Sequence, residues 1–149
     1  MSRRRALEDE LGFLLARASA LIVKASNQAL APHGLKVRAY SVLSVVCDEP
    51  GGITQRQVSD EVGLDPSQVV ALVDELQSRG LVTRTADPND RRNKLVVPTK
   101  RGRDLREQAQ ERTAEVAARY TAGFKPQAVE QMRTMLNQMV FSEVVEVAS

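Results

Sequence analysis

Residues 54–102 read TQRQVSDEVGLDPSQVVALVDELQSRGLVTRTADPNDRRNKLVVPTKRG, and this stretch decides the fold. Thr54 is followed three residues later by Gln57, which is the spacing of a capping box at the start of a helix. Gly63 supplies the left-handed residue that ends such a helix, and Asp65 is a suitable N-cap for the next one. The stretch is therefore predicted to begin with two short helices joined by a tight turn.

The second predicted helix, residues 65–79, has an apolar face and a polar face. Pro66 suits its first position, Gln68 stands at capping-box spacing from Asp65, and Gly80 follows its end. The residues at helical spacing that we expect to be buried are Val69, Leu72, Val73 and Leu76. The residues left on the outer face are Ser67, Gln68, Val70, Ala71, Asp74 and Glu75. This helix is thus predicted to pack on one side and to stay open on the other.

A basic hairpin is predicted over residues 82–97. Two β-prone runs, residues 81–84 and 95–97, flank the turn formers at 87–90. Residues 79–103 contain eight basic and two acidic residues, a net charge of +6, whereas the whole chain has a net charge of +2. Because positive charge is concentrated on one ribbon, we expect that ribbon to bind phosphates or a narrow minor groove.

Two short helices followed by a basic hairpin form the layout of a winged helix-turn-helix, a DNA-binding unit. In this unit the second helix enters the major groove, where Gln68 can bind adenine and Val70 or Ala71 can contact a thymine methyl. The residues predicted to approach base edges are Ser67, Gln68, Val70 and Ala71, and those predicted to bind phosphates are Arg56, Arg79, Arg84, Arg91 and Lys94. At the hairpin tip, Asp90 and Arg92 form an Asp-x-Arg pattern, in which one side chain holds the tip and the other reaches outward.

The chain resembles the MarR family of bacterial transcriptional regulators over nearly its whole length. The residues that carry this resemblance are 76–82 (LQSRGLV), 87–92 (DPNDRR) and 97–102 (VPTKRG), in the family's order and spacing. The resemblance implies that Arg92 enters the minor groove of DNA, with Asp90 as its bracing partner. It also implies that the protein regulates transcription, and we expect a repressor.

The resemblance further implies a mainly α fold with a small β-hairpin, in which N- and C-terminal helices form a homodimer. The winged helix-turn-helix is assigned to residues 36–100 of a single protomer spanning 1–149, and the dimerisation helices to 6–32 and 103–147. We expect the dimer to bind a pseudo-palindromic double-stranded DNA operator and to release it when a small lipophilic or phenolic ligand binds. The residues predicted to bind this ligand are Phe13, Arg17, Tyr40 and Leu43.

Apolar residues at helical spacing predict four further helices, at about 6–30, 36–48, 99–121 and 126–147. The first and the last carry broad apolar stripes, for which a second copy of the chain is the natural partner. Arginines 3–5 precede an apolar run, but the acidic residues 8–10 and Arg17 argue against a signal peptide or membrane span. The three arginines are interpreted either as a disordered end or as an extra phosphate contact.

No catalytic or metal site is predicted, and we do not expect an enzyme. The chain has one histidine, His33, and one cysteine, Cys47, on different elements and without the partners that catalysis or metal binding requires. Cys47 leaves a thiol-based redox regulator as an alternative. Asp48 and Glu49 beside it are expected to raise the pKa of the thiol, which favours an inert cysteine.

Two other functional classes remain open. Residues 64–78 contain no Lys or Arg, so a sequence-indifferent architectural DNA binder is one alternative, and a winged-helix protein-interaction module is another. No cofactor is expected, because Met132, Met135 and Met139 at helical spacing are interpreted as packing residues. The lone cysteine suits a reducing compartment. We therefore expect a cytoplasmic protein of a bacterium or archaeon, associated with the nucleoid when bound to DNA and not with a membrane.

Overall fold

The computed structural model describes residues 6–142, which contain six α-helices and one two-stranded antiparallel sheet. The helices are α1 (Leu11–Leu30), α2 (Val37–Asp48), α3 (Gln55–Val62), α4 (Pro66–Ser78), α5 (Lys100–Thr121) and α6 (Pro126–Phe141). The strands are β1 (Val82–Ala86) and β2 (Lys94–Pro98), which lie between α4 and α5. The sequence-based prediction of a mainly α fold with a winged helix-turn-helix is confirmed. Arginines 3–5 lie outside the described residues.

The first helix begins later than predicted. Residues Ala6–Asp9 form a 3-10 turn, and Glu10 is extended with φ −91° and ψ 106°, so α1 begins only at Leu11. At the other end α6 stops at Phe141, because the backbone of Ser142 is extended with ψ 144°. The predicted continuation of this helix to residue 147 falls outside the described residues.

The two short helices begin as their capping residues predict. Thr54 Oγ1 accepts from Gln57 N at 3.1 Å and Gln57 Oε1 accepts from Thr54 N at 3.0 Å, which completes the capping box of α3. Asp65 caps α4, but its carboxylate accepts from the backbone N–H and the hydroxyl of Ser67, both at 2.8 Å. These two hydrogen bonds lower the pKa of Asp65. The predicted role of Gln68 in this cap is wrong, because Ser67 occupies the carboxylate.

The hydrophobic core lies between α2, α3, α4 and the hairpin and is built from aliphatic side chains. Its fully buried members include Val42, Leu43, Val46, Val58, Val69, Val73, Leu76, Leu81, Val82 and Val96. Three of the four residues predicted for the inner face of α4 belong to this set, and Leu72 is half-buried. Ile53 pairs with Val96 of β2, so the segment before α3 is attached to the hairpin by backbone hydrogen bonds. The core thereby fixes the helix-turn-helix against the hairpin.

The start of α5 is joined closely to the turn that follows α4. Thr99 Oγ1 accepts from Gly102 N at 3.0 Å and donates to Gly80 O at 2.7 Å, and Thr99 N donates to Leu81 O at 3.1 Å. Gly102 lies where the first turn of α5 meets the backbone of Leu81. A Cβ added at Gly102 would overlap the carbonyl oxygen of Leu81 and lie 3.0 Å from its carbonyl carbon. The predicted capping role of Thr99 is confirmed, and the helix-turn-helix is attached to the first turn of α5.

Two helices carry most of the large exposed apolar side chains within residues 6–142, and each belongs to a different compact unit, the first running to Val116 and the second starting at Ala117. On α1 the exposed apolar residues are Leu11, Phe13, Leu14, Leu21, Ile22 and Val23. On α6 they are Met132, Met135, Leu136, Met139, Val140 and Phe141. Surfaces of this kind are typical of interfaces. None of the helices within residues 6–142 is both long and apolar enough for a transmembrane span.

Candidate nucleic-acid interface

The outer face of α4 is open to solvent at its N-terminal end. Ser67, Gln68, Val70 and Ala71 are all exposed, as predicted for residues that approach base edges. Ser67 is partly engaged, because its hydroxyl donates to Asp65 Oδ1. Its oxygen lone pairs remain available to accept a hydrogen bond from a base amino group. The first two turns of α4 therefore present an amide, a hydroxyl oxygen and two apolar side chains.

The tip of the hairpin is held in shape by its aspartates. Asp87 Oδ1 accepts from Asn89 N at 2.9 Å, and Asp90 Oδ1 accepts from Arg92 N at 3.0 Å. Asp90 thus braces the backbone of Arg92 and not its guanidinium group. Backbone hydrogen bonds from Asn93 N to Asp90 O and from Asp87 N to Asn93 O close the loop.

Three basic side chains project from this braced tip. Arg91, Arg92 and Lys94 are exposed. Across residues 6–142 none of the three side chains has a hydrogen bond or an ion pair within the protomer, and the same holds for exposed Arg56 at the start of α3. These four cations are free to meet an external anion.

Arg79 and Arg84, which the sequence analysis predicts to bind phosphates, form hydrogen bonds within the protomer. Arg79, at the C-terminal end of α4, donates to Gly34 O at 2.8 Å and to His33 O at 3.0 Å. Arg84 donates to acceptors on α3 and α4, and its side chain is only 17% exposed. These hydrogen bonds hold both guanidinium groups toward the protein, and phosphate binding by either residue stays a prediction. Sequence reasoning missed these acceptors, since they lie on other elements of the fold.

Of the acidic residues Asp65, Asp74 and Glu75 at and within α4, Asp74 is the one paired with a cation among residues 6–142. Asp65 is bound by Ser67, and Asp74 forms an ion pair with Arg84 at 2.6 Å. The ion pair of Asp74 with Arg84 therefore leaves less uncompensated negative charge on α4 than the lack of Lys and Arg in residues 64–78 indicates. Glu75 lines a cavity beside α4.

A cavity of about 970 Å³ lies beside α4, between the end of α1 and the start of α2. Its lining consists of Val23, Asn27, Ala31, Gly34, Leu35, Lys36, Val37, Arg38, Ala39, Leu72 and Glu75. The lining is mostly apolar, and two cations, Lys36 and Arg38, stand within it. Leu72 and Glu75 belong to α4, so a molecule in this cavity would contact the helix that is predicted to enter the major groove.

None of the four residues predicted to bind the ligand lines this cavity. Leu43 is fully buried in the core, and Tyr40 is half-buried, its hydroxyl accepting from Thr113 Oγ1 at 3.5 Å. Phe13 and Arg17 are exposed on α1, well before the part of that helix that lines the cavity. Leu43 has no accessible surface within the protomer, and ligand binding by these four residues stays a prediction.

The chain's single thiol has an unfavourable environment for reactivity. Burial raises the pKa of the Cys47 thiol, the Arg106 guanidinium opposes this shift, and Asp48 adds to it. The predicted direction is confirmed, but the main cause is burial and not the neighbouring carboxylates. Arg106 donates to Asp48 Oδ1 at 3.0 Å. Among the described residues, no cluster of three or more His, Cys, Asp or Glu could hold a metal ion.

Comparison with known proteins gives concordant matches. A model described as the MarR family matches residues 33–93. The uncharacterized HTH-type transcriptional regulator YcgE of Bacillus subtilis (strain 168) is 32% identical over 72% of this chain and 70% of that protein. Among solved structures, CouR from Rhodococcus jostii RHA1 bound to p-coumaroyl-CoA is 46% identical, with a TM-score of 0.87 over 96% of this chain and 100% of that chain. The transcriptional repressor CouR bound to a 23-mer DNA duplex is 28% identical, with a TM-score of 0.82 over 93% and 99% of the two chains.

The matches agree with the geometry described above. A model confined to residues 33–93 covers the helix-turn-helix and most of the hairpin, whereas the structural matches extend over nearly the whole chain. The resemblance noted in the sequence is confirmed, and the chain belongs to the MarR family of DNA-binding transcriptional regulators.

Proposed function

We propose that the protein is a homodimeric repressor that binds a pseudo-palindromic operator. The observation that carries this proposal is the hairpin tip, where Asp90 fixes the backbone and leaves the guanidinium of Arg92 exposed and unpaired. A preformed loop with a projecting arginine suits insertion into a narrow minor groove. The similarity to CouR, which is described as a transcriptional repressor and has been solved on a DNA duplex, supports the same function.

The dimer would place two copies of α4 in successive major grooves, about 34 Å apart. Ser67 and Gln68 approach the base edges, and Arg92 of each hairpin enters the flanking minor groove. Exposed Arg56, Arg91 and Lys94 neutralise phosphates. Arg79 and Arg84 are left out of this set, because their guanidinium groups are already bound within the protomer.

The terminal helices supply the proposed dimer interface. The exposed apolar side chains of α1, and separately those of α6, provide apolar surface that a second copy would cover. Residues 36–100 then act as the DNA-binding part, and residues 6–32 and 103–147 as the dimerisation part. The protein is proposed to work in the cytoplasm without catalytic activity.

Footprinting on the DNA upstream of the protein's own coding region tests operator binding. We expect a protected inverted repeat and an affinity that falls steeply with salt. With six phosphates neutralised per dimer, log K against log salt should have a slope of about −5. Equal affinity for random DNA would instead favour the architectural alternative, and an absence of salt-dependent binding would favour a protein-interaction module.

We propose that the effector is an aromatic acyl thioester of coenzyme A. The CouR relative of 46% identity was solved with p-coumaroyl-CoA, a phenolic and polyanionic ligand. The cavity beside α4 combines apolar walls such as Leu35 and Leu72 with the cations Lys36 and Arg38, which suits a molecule with an apolar and an anionic part.

Adding p-coumaroyl-CoA is therefore expected to weaken operator binding at least tenfold, a coupling free energy of about 1.4 kcal/mol. Fluorescence anisotropy of labelled operator measures this effect, with coenzyme A alone and free p-coumarate as controls. A ligand can shift the equilibrium only by its different affinity for the free and DNA-bound protein. If p-coumaroyl-CoA binds to the protein but leaves operator affinity unchanged, it is not the effector.

A further inference from the structure

Arg84 connects three elements of the DNA-binding part through one guanidinium group. Its Nε donates to Gln55 Oε1 on α3 at 2.9 Å, and one terminal nitrogen donates to Asp74 Oδ1 on α4 at 2.6 Å. The other terminal nitrogen donates to Gln77 Oε1, also on α4. Arg84 itself belongs to β1, the first strand of the hairpin. We call these four residues the Arg84 clamp.

The clamp depends on the shape of the arginine side chain. A guanidinium is planar and carries donors in fixed directions, so it can bind three acceptors on two helices at once. Lysine offers a point charge that cannot reproduce this arrangement. The side chain of Arg84 is 17% exposed whereas that of Asp74 is 62% exposed, so the arginine lies beneath its acidic partner. This arrangement directs the donors of Arg84 toward the protein.

The clamp lies where small movements matter for recognition. Asp74 and Gln77 follow Ala71 on the exposed part of α4, three and six residues further along the helix. The hairpin that carries Arg84 also carries Arg92 at its tip. A rotation of α4 relative to β1 would displace the proposed base contacts of α4 relative to the proposed minor-groove contact of Arg92. Val73 of α4 and Val82 of β1 belong to the same hydrophobic core, and the Arg84 clamp joins the same two elements at the surface.

We infer that Arg84 is a positioning residue for operator recognition, which holds the recognition helix and the hairpin in the relative position that DNA requires, and does not itself bind phosphate. This inference rests on the proposed function, because it assigns a role within operator binding. It replaces the phosphate contact that the sequence indicates for this residue.

Comparing operator with random DNA tests the inference. A residue that only contacts phosphate supports binding to every sequence equally, and its loss reduces the salt slope. Loss of a positioning residue weakens contacts with base edges, so operator affinity should fall while binding to random DNA is retained. The ratio of the two affinities therefore distinguishes the two roles. A general loss of folded protein would lower both affinities together.

For Arg84→Met we expect operator affinity to fall roughly tenfold, with random-DNA affinity within about twofold of the wild type and the salt slope unchanged. Arg84→Lys should give the same fall, since a point charge does not restore the clamp. The matched control is Arg56→Met, which removes an exposed and unpaired cation. Arg56→Met should lower both affinities by the same factor and reduce the steepness of the slope. Circular dichroism confirms that each variant is folded at the assay temperature.

Two further variants separate geometry from charge. Gln55→Ala keeps every charge but removes one acceptor of the clamp, so the affinity ratio should fall as it does for Arg84→Met. Arg84→Met combined with Asp74→Asn restores the net charge without restoring the clamp, and its ratio should stay low. Recovery of wild-type affinity in this double variant would overturn the inference, because Arg84 would then act only by neutralising Asp74.

The outcome that contradicts positioning is distinct from failure of the proposed function. If Arg84→Met behaves as Arg56→Met does, with both affinities and the slope reduced, Arg84 contacts phosphate and the inference is wrong. If the wild-type protein itself shows no preference for the footprinted operator, the proposed function fails before any variant is compared.

Discussion

Substituting alanine for Gly102 is expected to lower the free energy of unfolding by about 3 kcal/mol or more. The added Cβ would overlap the carbonyl oxygen of Leu81, a backbone atom that already accepts hydrogen bonds from Thr99 N and Oγ1, both at 3.1 Å. To relieve the overlap, the first turn of α5 must move away from the turn after α4, and these hydrogen bonds must lengthen or break. The loss thus combines steric overlap with weakened hydrogen bonds at the junction.

Urea unfolding followed by circular dichroism, at a fixed protein concentration, measures this loss. Gly51→Ala is the matched control, because Gly51 lies outside the helices, its φ is not in the left-handed region, and a Cβ there would meet no atom within 4 Å. Replacing glycine by alanine at such a position stabilises a protein by about 0.4 to 1 kcal/mol through the unfolded chain, so this variant should be unchanged or slightly more stable. Equal stability of Gly102→Ala and the wild type would show that α5 does not need this close approach.

Replacing Arg92 with alanine is expected to weaken operator binding by about 1 to 3 kcal/mol, which is roughly 5- to 150-fold. The guanidinium contributes nothing to the fold that the structure shows, since Asp90 binds the backbone N–H of Arg92 and not its side chain. Stability should therefore be unchanged while affinity falls. An effect on binding without an effect on folding is what a direct contact with DNA requires.

Gel shifts at constant salt measure the change, with thermal unfolding as the measure of stability. Arg112→Ala is the control, because it removes the same charge from an exposed position on α5, where Arg112 pairs with Glu115 at 3.1 Å. We expect this control to bind operator as the wild type does. Unchanged affinity of Arg92→Ala would remove the hairpin tip from the mechanism.

The fold could be predicted because its signals are local. Thr54 with Gln57, Asp65 with Pro66, and the glycines at 63 and 80 lie next to the helix ends that they determine, so their spacing specifies each helix boundary. The exception, Gln68, shows the limit of spacing alone. Ser67 was closer to the carboxylate of Asp65 and has both a backbone and a side-chain donor, and so it formed the cap.

The roles of the charged residues could be predicted only in part. Exposed residues of the hairpin tip were identified because turn formers place them at a loop end. The internal hydrogen bonds of Arg84 could not be predicted, because one of its acceptors, Gln55, is 29 positions away in the chain. The same holds for Cys47, whose neighbours in sequence suggested the direction of the pKa shift but not its main cause, burial. The cavity beside α4 depends on three segments meeting in space, and no local pattern predicts such a meeting.

The braced hairpin tip also bears on how such proteins diversify. Asp87, Asp90 and the loop backbone maintain the tip without help from the side chains of Arg91, Arg92 and Lys94. Substitutions at those three positions are therefore expected to be nearly neutral for folding, whereas a substitution of Arg92 is expected to alter which DNA is preferred. A lineage, or an engineer, can retune target choice at the tip without first having to stabilise the scaffold that carries it.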